Sequence, residues 1–184
     1  FLNDISQKVD KIQFDELQTI EYSKCKPLSV ATVVSVRDRK ILGVSVASMP
    51  TTRYLTTISR KKYSEPDDQR QEKLTKLFKK LSESLDDNIA IYSNKHPYYR
   101  PIITRYFPTE RYHQIKGVQA TVNGQGEIKK NTKDPLFCIN HTLPILRTNI
   151  NRLIRKTWCT TKHPEQLLNH LYIYISVHNS LLTT

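Results

Sequence analysis

Two β-branched runs separated by four charged residues constrain this chain more than any other feature. Leu28–Val36 reads LSVATVVSV, Ile41–Met49 reads ILGVSVASM, and Arg37, Asp38, Arg39 and Lys40 lie between them. Branched side chains crowd a helix but pack well on a pleated surface, so both runs are expected to be strands. A short charged connection makes an antiparallel hairpin of them. Ile12–Ser23, with Phe14, Leu17 and Ile20 set among polar residues, adds a strand in front. The first part of the chain is therefore expected to be a three-stranded antiparallel meander.

After the meander the hydrophobic period changes from two to that of a helix. Ser64, Pro66 and Asp67 supply an N-terminal cap, an early proline and first-turn acid. Leu74, Leu77, Phe78, Leu81 and Leu85 then recur on one helical face, and Asp86, Asp87 and Asn88 end it. Ile89–Tyr92 (IAIY) is a short apolar run of the buried-strand kind. A short helix ending at Phe107 follows. Val118–Lys130 (VQATVNGQGEIKK) reads as a strand with a glycine-bearing turn, a basic helix covers 141–157, and a last helix covers 164–179. No repeat or low-complexity linker divides the chain. Residues 1–184 are thus expected to be a single α/β domain, with the basic C-terminal helices of 141–184 belonging to it. Its mixed five-stranded sheet would combine the antiparallel meander with parallel strands and carry helices on both faces. Ribonuclease H-like nucleases and integrases use this element order.

Charge narrows the partner. The chain carries 29 Lys and Arg against 17 Asp and Glu, a formal net charge of +12. From Pro135 to Pro164 there is no acid, and Arg147, Arg152, Arg155, Lys156 and Lys162 stand in that stretch. Cations without counter-charges suit a phosphate backbone, so double-stranded DNA is the expected partner. An anionic membrane surface is less well matched, because no segment sets a wide apolar face opposite a Lys-rich one. No apolar run reaches the ~20 residues of a membrane span. Three widely spaced cysteines and no secretory signal in FLNDISQKVD point to a reducing cytoplasm. Cys138, His141, Cys159 and His163 have tempting zinc spacings, but a helix between His141 and Cys159 would part them by ~27 Å.

Few residues stand out chemically. Asp15, in FDEL, lies mid-strand where acids are disfavoured, and Glu16 beside it points to the opposite face. Asn94 follows the IAIYS strand, at the end where ligand groups gather in α/β sheets, although a turn asparagine would stand there equally well. Asn140 precedes the basic helix, a position that also suits a cap. His96 and His141 are within reach of phosphate chemistry but are more often structural. Gly-rich phosphate loops and the GxSxG and HExxH patterns are absent from the sequence.

Three segments go further. Leu146–Lys162 (LRTNINRLIRKTWCTTK), followed by HPEQLLNHLYIY, together with SNKHPYY (Ser93–Tyr99) and FDEL (Phe14–Leu17), resembles the DDE transposases of bacterial insertion sequences, in the group around insertion element one. The matches fall in the family's order and span most of the chain. The resemblance implies a ribonuclease H-like catalytic domain that binds transposon-end DNA for metal-dependent strand cleavage and strand transfer. It implies two Mg²⁺ or Mn²⁺ ions held about 3.5–4 Å apart. Carried over by position, the first acid is Asp15, the second falls on Asn94 and the third on Asn140, with Glu127 or Asp134 as other sources of the third. Asp15 and Asn94 would be the metal ligands. An asparagine offers an oxygen without negative charge, so metal binding and catalysis are expected to be weakened. The alternative is a catalytically inactive DNA-binding domain derived from such a core. Arg147, Arg152, Arg155, Lys156, Lys162 and His96 would contact DNA. A homo-oligomer on DNA, nucleoid-associated in a bacterial cytoplasm and not at a membrane, is implied. The family's N-terminal DNA-recognition part is expected to be absent, since the chain begins almost at the first catalytic strand.

Overall fold

A computed structural model of the chain describes residues 9–51, 55–63, 67–116, 134–153 and 163–182. Among the described residues there are five strands: β1 (Lys11–Ile20), β2 (Pro27–Ser35), β3 (Ile41–Ser48), β4 (Ala90–Asn94) and β5 (Tyr112–Ile115). The helices are α1 (Leu55–Tyr63), α2 (Arg70–Ser82), α3 (Tyr99–Ile103), α4 (Phe137–Asn149) and α5 (Pro164–Leu181). The sheet order is β3-β2-β1-β4-β5. The β1–β2 and β2–β3 pairs are antiparallel, and β4 runs parallel to both β1 and β5. This is the mixed five-stranded α/β sheet the sequence predicts, in a ribonuclease H-like arrangement.

Strand alternation sorts the core into two layers. Ile12 and Phe14 of β1, Val33 of β2 and Ile91 of β4 face α2 and α3, where Leu74, Phe78, Leu81 and Tyr99 close the first layer. The Phe14 ring lies 5.0 Å from Phe78 and 4.7 Å from Tyr99, centroid to centroid. Leu17, Val30 and Val44 point the other way, against Ile139 and Leu146 of α4 and Leu167, Leu171 and Ile175 of α5. One free edge of the sheet is managed by a side chain. Asn179 of α5 donates from Nδ2 to the Ile41 carbonyl and accepts the Ile41 N–H at Oδ1, both at 2.9 Å, standing in for a strand neighbour.

Several boundaries differ from the sequence reading. α1 was not foreseen, because LTTISRKKY carries too few apolar residues to show a helical stripe. α2 starts at Arg70, with Gln69 at the N-cap position and no side-chain cap bond; the Asp68 carboxylate accepts the Arg70 N–H at 3.2 Å beside it, and Ser64 and Pro66, where the start is expected, lie outside the described residues. α4 begins at Phe137 and not at His141, because Asp134 accepts the Leu136 N–H on Oδ1 at 3.0 Å and the Phe137 N–H on its carbonyl at 3.0 Å. Asn140 is therefore inside the first turns of α4 and caps nothing. α4 closes at Asn149, short of 157, and a single 3-10 turn follows at Asn151–Leu153. Among the described residues the last strand is YHQI at 112–115; the segment 118–130, where a strand is expected, lies outside them, as does Cys159. Among the described residues no helix is long and apolar enough to cross a membrane.

Candidate active site

β1 and β4 run in parallel register, with Phe14 beside Ser93, so Asp15 and Asn94 are the next pair on the face that carries α4. Their side chains meet: Asn94 Nδ2 donates to Asp15 Oδ1 at 2.7 Å, across 79 positions of sequence. The same Asp15 oxygen accepts the Glu16 N–H at 2.8 Å. Both side chains are half-buried, at the C-terminal end of β4. Asn94 Oδ1 is buried and has no hydrogen-bond partner among the described residues.

Gln13, two residues before Asp15 on the same face, fixes α4 over β1. Its Nε2 donates to the Pro135 carbonyl at 2.8 Å, and its Oε1 accepts the Ile139 N–H at 3.0 Å. Farther along, Arg147 donates to the Gln18 carbonyl at 3.2 Å. α4 is thus tied to β1 on both sides of Asp15. Its third-position residue does not reach the pair by any direct bond. Asn140 Nδ2 donates instead to Oδ2 of the buried Asp134 at 2.6 Å. Each of the two asparagines therefore turns its amide hydrogens towards an aspartate.

That donor set does not fit a two-cation site. A divalent cation needs converging oxygen lone pairs and negative charge. Here one Asp15 oxygen already accepts two N–H groups, and both Asp134 oxygens accept hydrogen bonds of their own. No three His, Cys, Asp or Glu residues group closely enough to hold a metal ion among the described residues.

The opposite face of β1 carries a second polar cluster. The Tyr98 hydroxyl donates to the Glu16 carboxylate, 2.8 and 2.7 Å from its two oxygens. The Arg70 guanidinium lies 5.5 Å over the Tyr98 ring and pairs with Asp68 at 2.7 Å, which holds the Asp68 carboxyl below its ordinary value. His96 packs against Tyr98 and Tyr99, with centroids 4.1 and 5.0 Å apart. Burial pushes its imidazole below the usual histidine value, against the pull of Glu16. Its Nδ1 is buried with no hydrogen-bond partner among the described residues. Burial, then Glu16, pushes the Tyr98 phenol up. This cluster clamps the segment after β4 that carries Asn94. Tyr98→Phe should cost about 1–2 kcal/mol, since it strips the Glu16 carboxylate of a donor; a denaturant midpoint equal to wild type would contradict the clamp.

Of the other expected DNA contacts, Arg152 lines a groove with His170, Ile173 and Tyr174, between the 3-10 turn and α5. Arg155, Lys156, Lys162 and Glu127 lie outside the described residues. Gln13 and Tyr98 are not singled out by the sequence, which marks Glu16 only as facing away from Asp15. A glutamine at an inward-facing strand position was the available signal for Gln13.

No protein-family model, curated protein or solved structure matches this chain.

Proposed function

We propose that the chain is a DNA-binding core of the DDE-transposase type whose strand cleavage and strand transfer are weakened by two asparagines at acid positions. The observation that carries this reading is the 2.7 Å contact between Asp15 and Asn94, on neighbouring parallel strands of a ribonuclease H-like sheet. The third position, Asn140, lies on α4, with its amide bonded to Asp134 ahead of the helix, and Arg147 lies beside Gln18. The net charge of +12 favours double-stranded DNA as the partner; transposon ends as the substrate class and a homo-oligomer as the bound form belong to the same reading. The amide hydrogens aimed at both aspartates favour a second reading, a domain that binds DNA without cleaving it.

Duplex binding over a salt series, with nicking and strand transfer assayed in Mg²⁺ and Mn²⁺, tests both. Log affinity is expected to fall linearly with log salt. Cleavage is expected to be weak or absent in the chain itself and to rise in the Asn94→Asp/Asn140→Glu double variant. Salt-independent affinity would contradict the DNA reading. Restored acids that bring neither cleavage nor tighter Mn²⁺ binding would overturn the assignment of the acid positions and leave only DNA binding.

A further inference from the structure

We infer that the β1–β2 turn and α1 form a second contact surface for the phosphate backbone of duplex DNA, flanking the Asp15–Asn94 pair. The inference rests on the DNA reading above and adds a surface which that reading does not contain.

β1 leads from Asp15 outward to Ile20, five residues of strand or about 17 Å. Arg147, bonded to the Gln18 carbonyl, lies along the way. Beyond Ile20 the chain turns, with the Glu21 N–H donating to the Lys26 carbonyl at 2.9 Å. α1 is fastened to this turn by a buried bond from Ser59 Oγ to the Cys25 carbonyl at 2.8 Å. An aromatic pair adds to it: the Tyr22 and Tyr63 rings are 5.9 Å apart, with Lys26 Nζ 4.7 and 5.2 Å from their centroids. Lys62 Nζ lies 5.3 Å from the Tyr63 ring. Turn and helix are therefore one fixed body.

That body is strongly cationic. Lys24 is exposed on the turn, and Arg60, Lys61 and Lys62 are exposed on α1, whose sequence LTTISRKKY contains no acid. Glu21, the turn's acid, pairs with Lys26 at 3.5 Å and leaves the outer lysines uncompensated by it. Exposed cations beside the exposed Tyr22 match a nucleic-acid backbone, which such groups hold without reading sequence. At 3.4 Å per base pair, 17 Å of strand corresponds to about five base pairs of duplex. A duplex touching Arg147 at the outer end of α4, beside Gln18 and two strand residues or about 7 Å from Ile20, would reach this surface.

The test compares the intact chain with a Lys24→Ala/Lys61→Ala/Lys62→Ala variant, and with Lys79→Ala/Lys80→Ala on the exposed side of α2 as a control. Affinity for a random-sequence duplex is measured across a salt series. The triple variant is expected to lower the slope of log affinity on log salt by about 2–3 and to bind at least about tenfold more weakly near 0.1 M salt. The control is expected to keep the wild-type slope. If wild type binds DNA and the triple variant keeps its slope, or if both variants lose slope equally, the surface is wrong and the DNA reading stands. If wild type binds no duplex, the DNA reading fails and this surface fails with it. Lysine-dependent binding to phosphatidylserine vesicles without duplex binding would assign the patch to a membrane and overturn the inference.

Discussion

Asn94→Asp should lower the stability of the metal-free protein by about 2–3 kcal/mol, or roughly 5–10 °C in Tm for a chain of this size. The substitution removes the donor that now sits 2.7 Å from Asp15 Oδ1 and replaces it with a second carboxylate. Two carboxylates that close cannot both ionise without cost, so the pair would share a proton and titrate with one raised value. The sign follows from linkage. A carboxyl raised in the folded state binds protons that the unfolded chain has lost, so the variant loses stability as pH rises through the ordinary carboxyl range. The penalty should be small near pH 4 and full at pH 7, with Mn²⁺ at millimolar concentration recovering much of it by binding only the folded form. Thermal melts at the two pH values, with and without Mn²⁺, check this. A Tm equal to wild type, or a loss indifferent to both pH and Mn²⁺, would show that residue 94 does not face Asp15.

Gln13→Leu should cost about 2–4 kcal/mol, because leucine keeps the volume but leaves two backbone groups without their partner. Gln13 is buried, and its amide satisfies the Pro135 carbonyl and the Ile139 N–H together. Those groups start α4, and α4 carries Asn140 and Arg147. The variant should therefore loosen the helix over Asp15 as well as lower stability, seen as faster amide exchange through the first turns of α4. Gln13→Glu retains an acceptor for the Ile139 N–H but loses the donor to Pro135, and should fall between the two. Equal denaturant midpoints for wild type and Gln13→Leu would contradict the clamp.

The fold was legible where local pattern and tertiary structure agree. The β-branched runs around Arg37–Lys40 form β2 and β3, and the Leu74–Leu81 stripe packs on the sheet as α2. Boundaries set by single side-chain bonds were not legible. α4 starts four residues ahead of the expected position, where Asp134 accepts the Leu136 N–H, and α2 starts where Asp68 accepts the Arg70 N–H. Periodicity cannot register such bonds when they sit outside the apolar stripe. In the candidate site, Asp15 was visible because an acid mid-strand is unusual, and Asn94 because it ends a buried-type strand. Nothing in the spacing of Asn140 announced that its amide would pair with Asp134, since that contact depends on how a loop enters the helix. The Glu16–Tyr98 bond is not legible in the sequence, because it joins residues 82 positions apart on the face away from Asp15.

Whether residues 15 and 94 form one cation site is decided by titrating Mn²⁺ calorimetrically into three forms. These are the chain itself, Asn94→Asp, and Asp15→Ala/Asn94→Asp. Binding is expected to be at least about tenfold tighter in Asn94→Asp than in the chain, with that gain lost when Asp15 is removed as well. No gain in Asn94→Asp, or a gain that survives without Asp15, would contradict it.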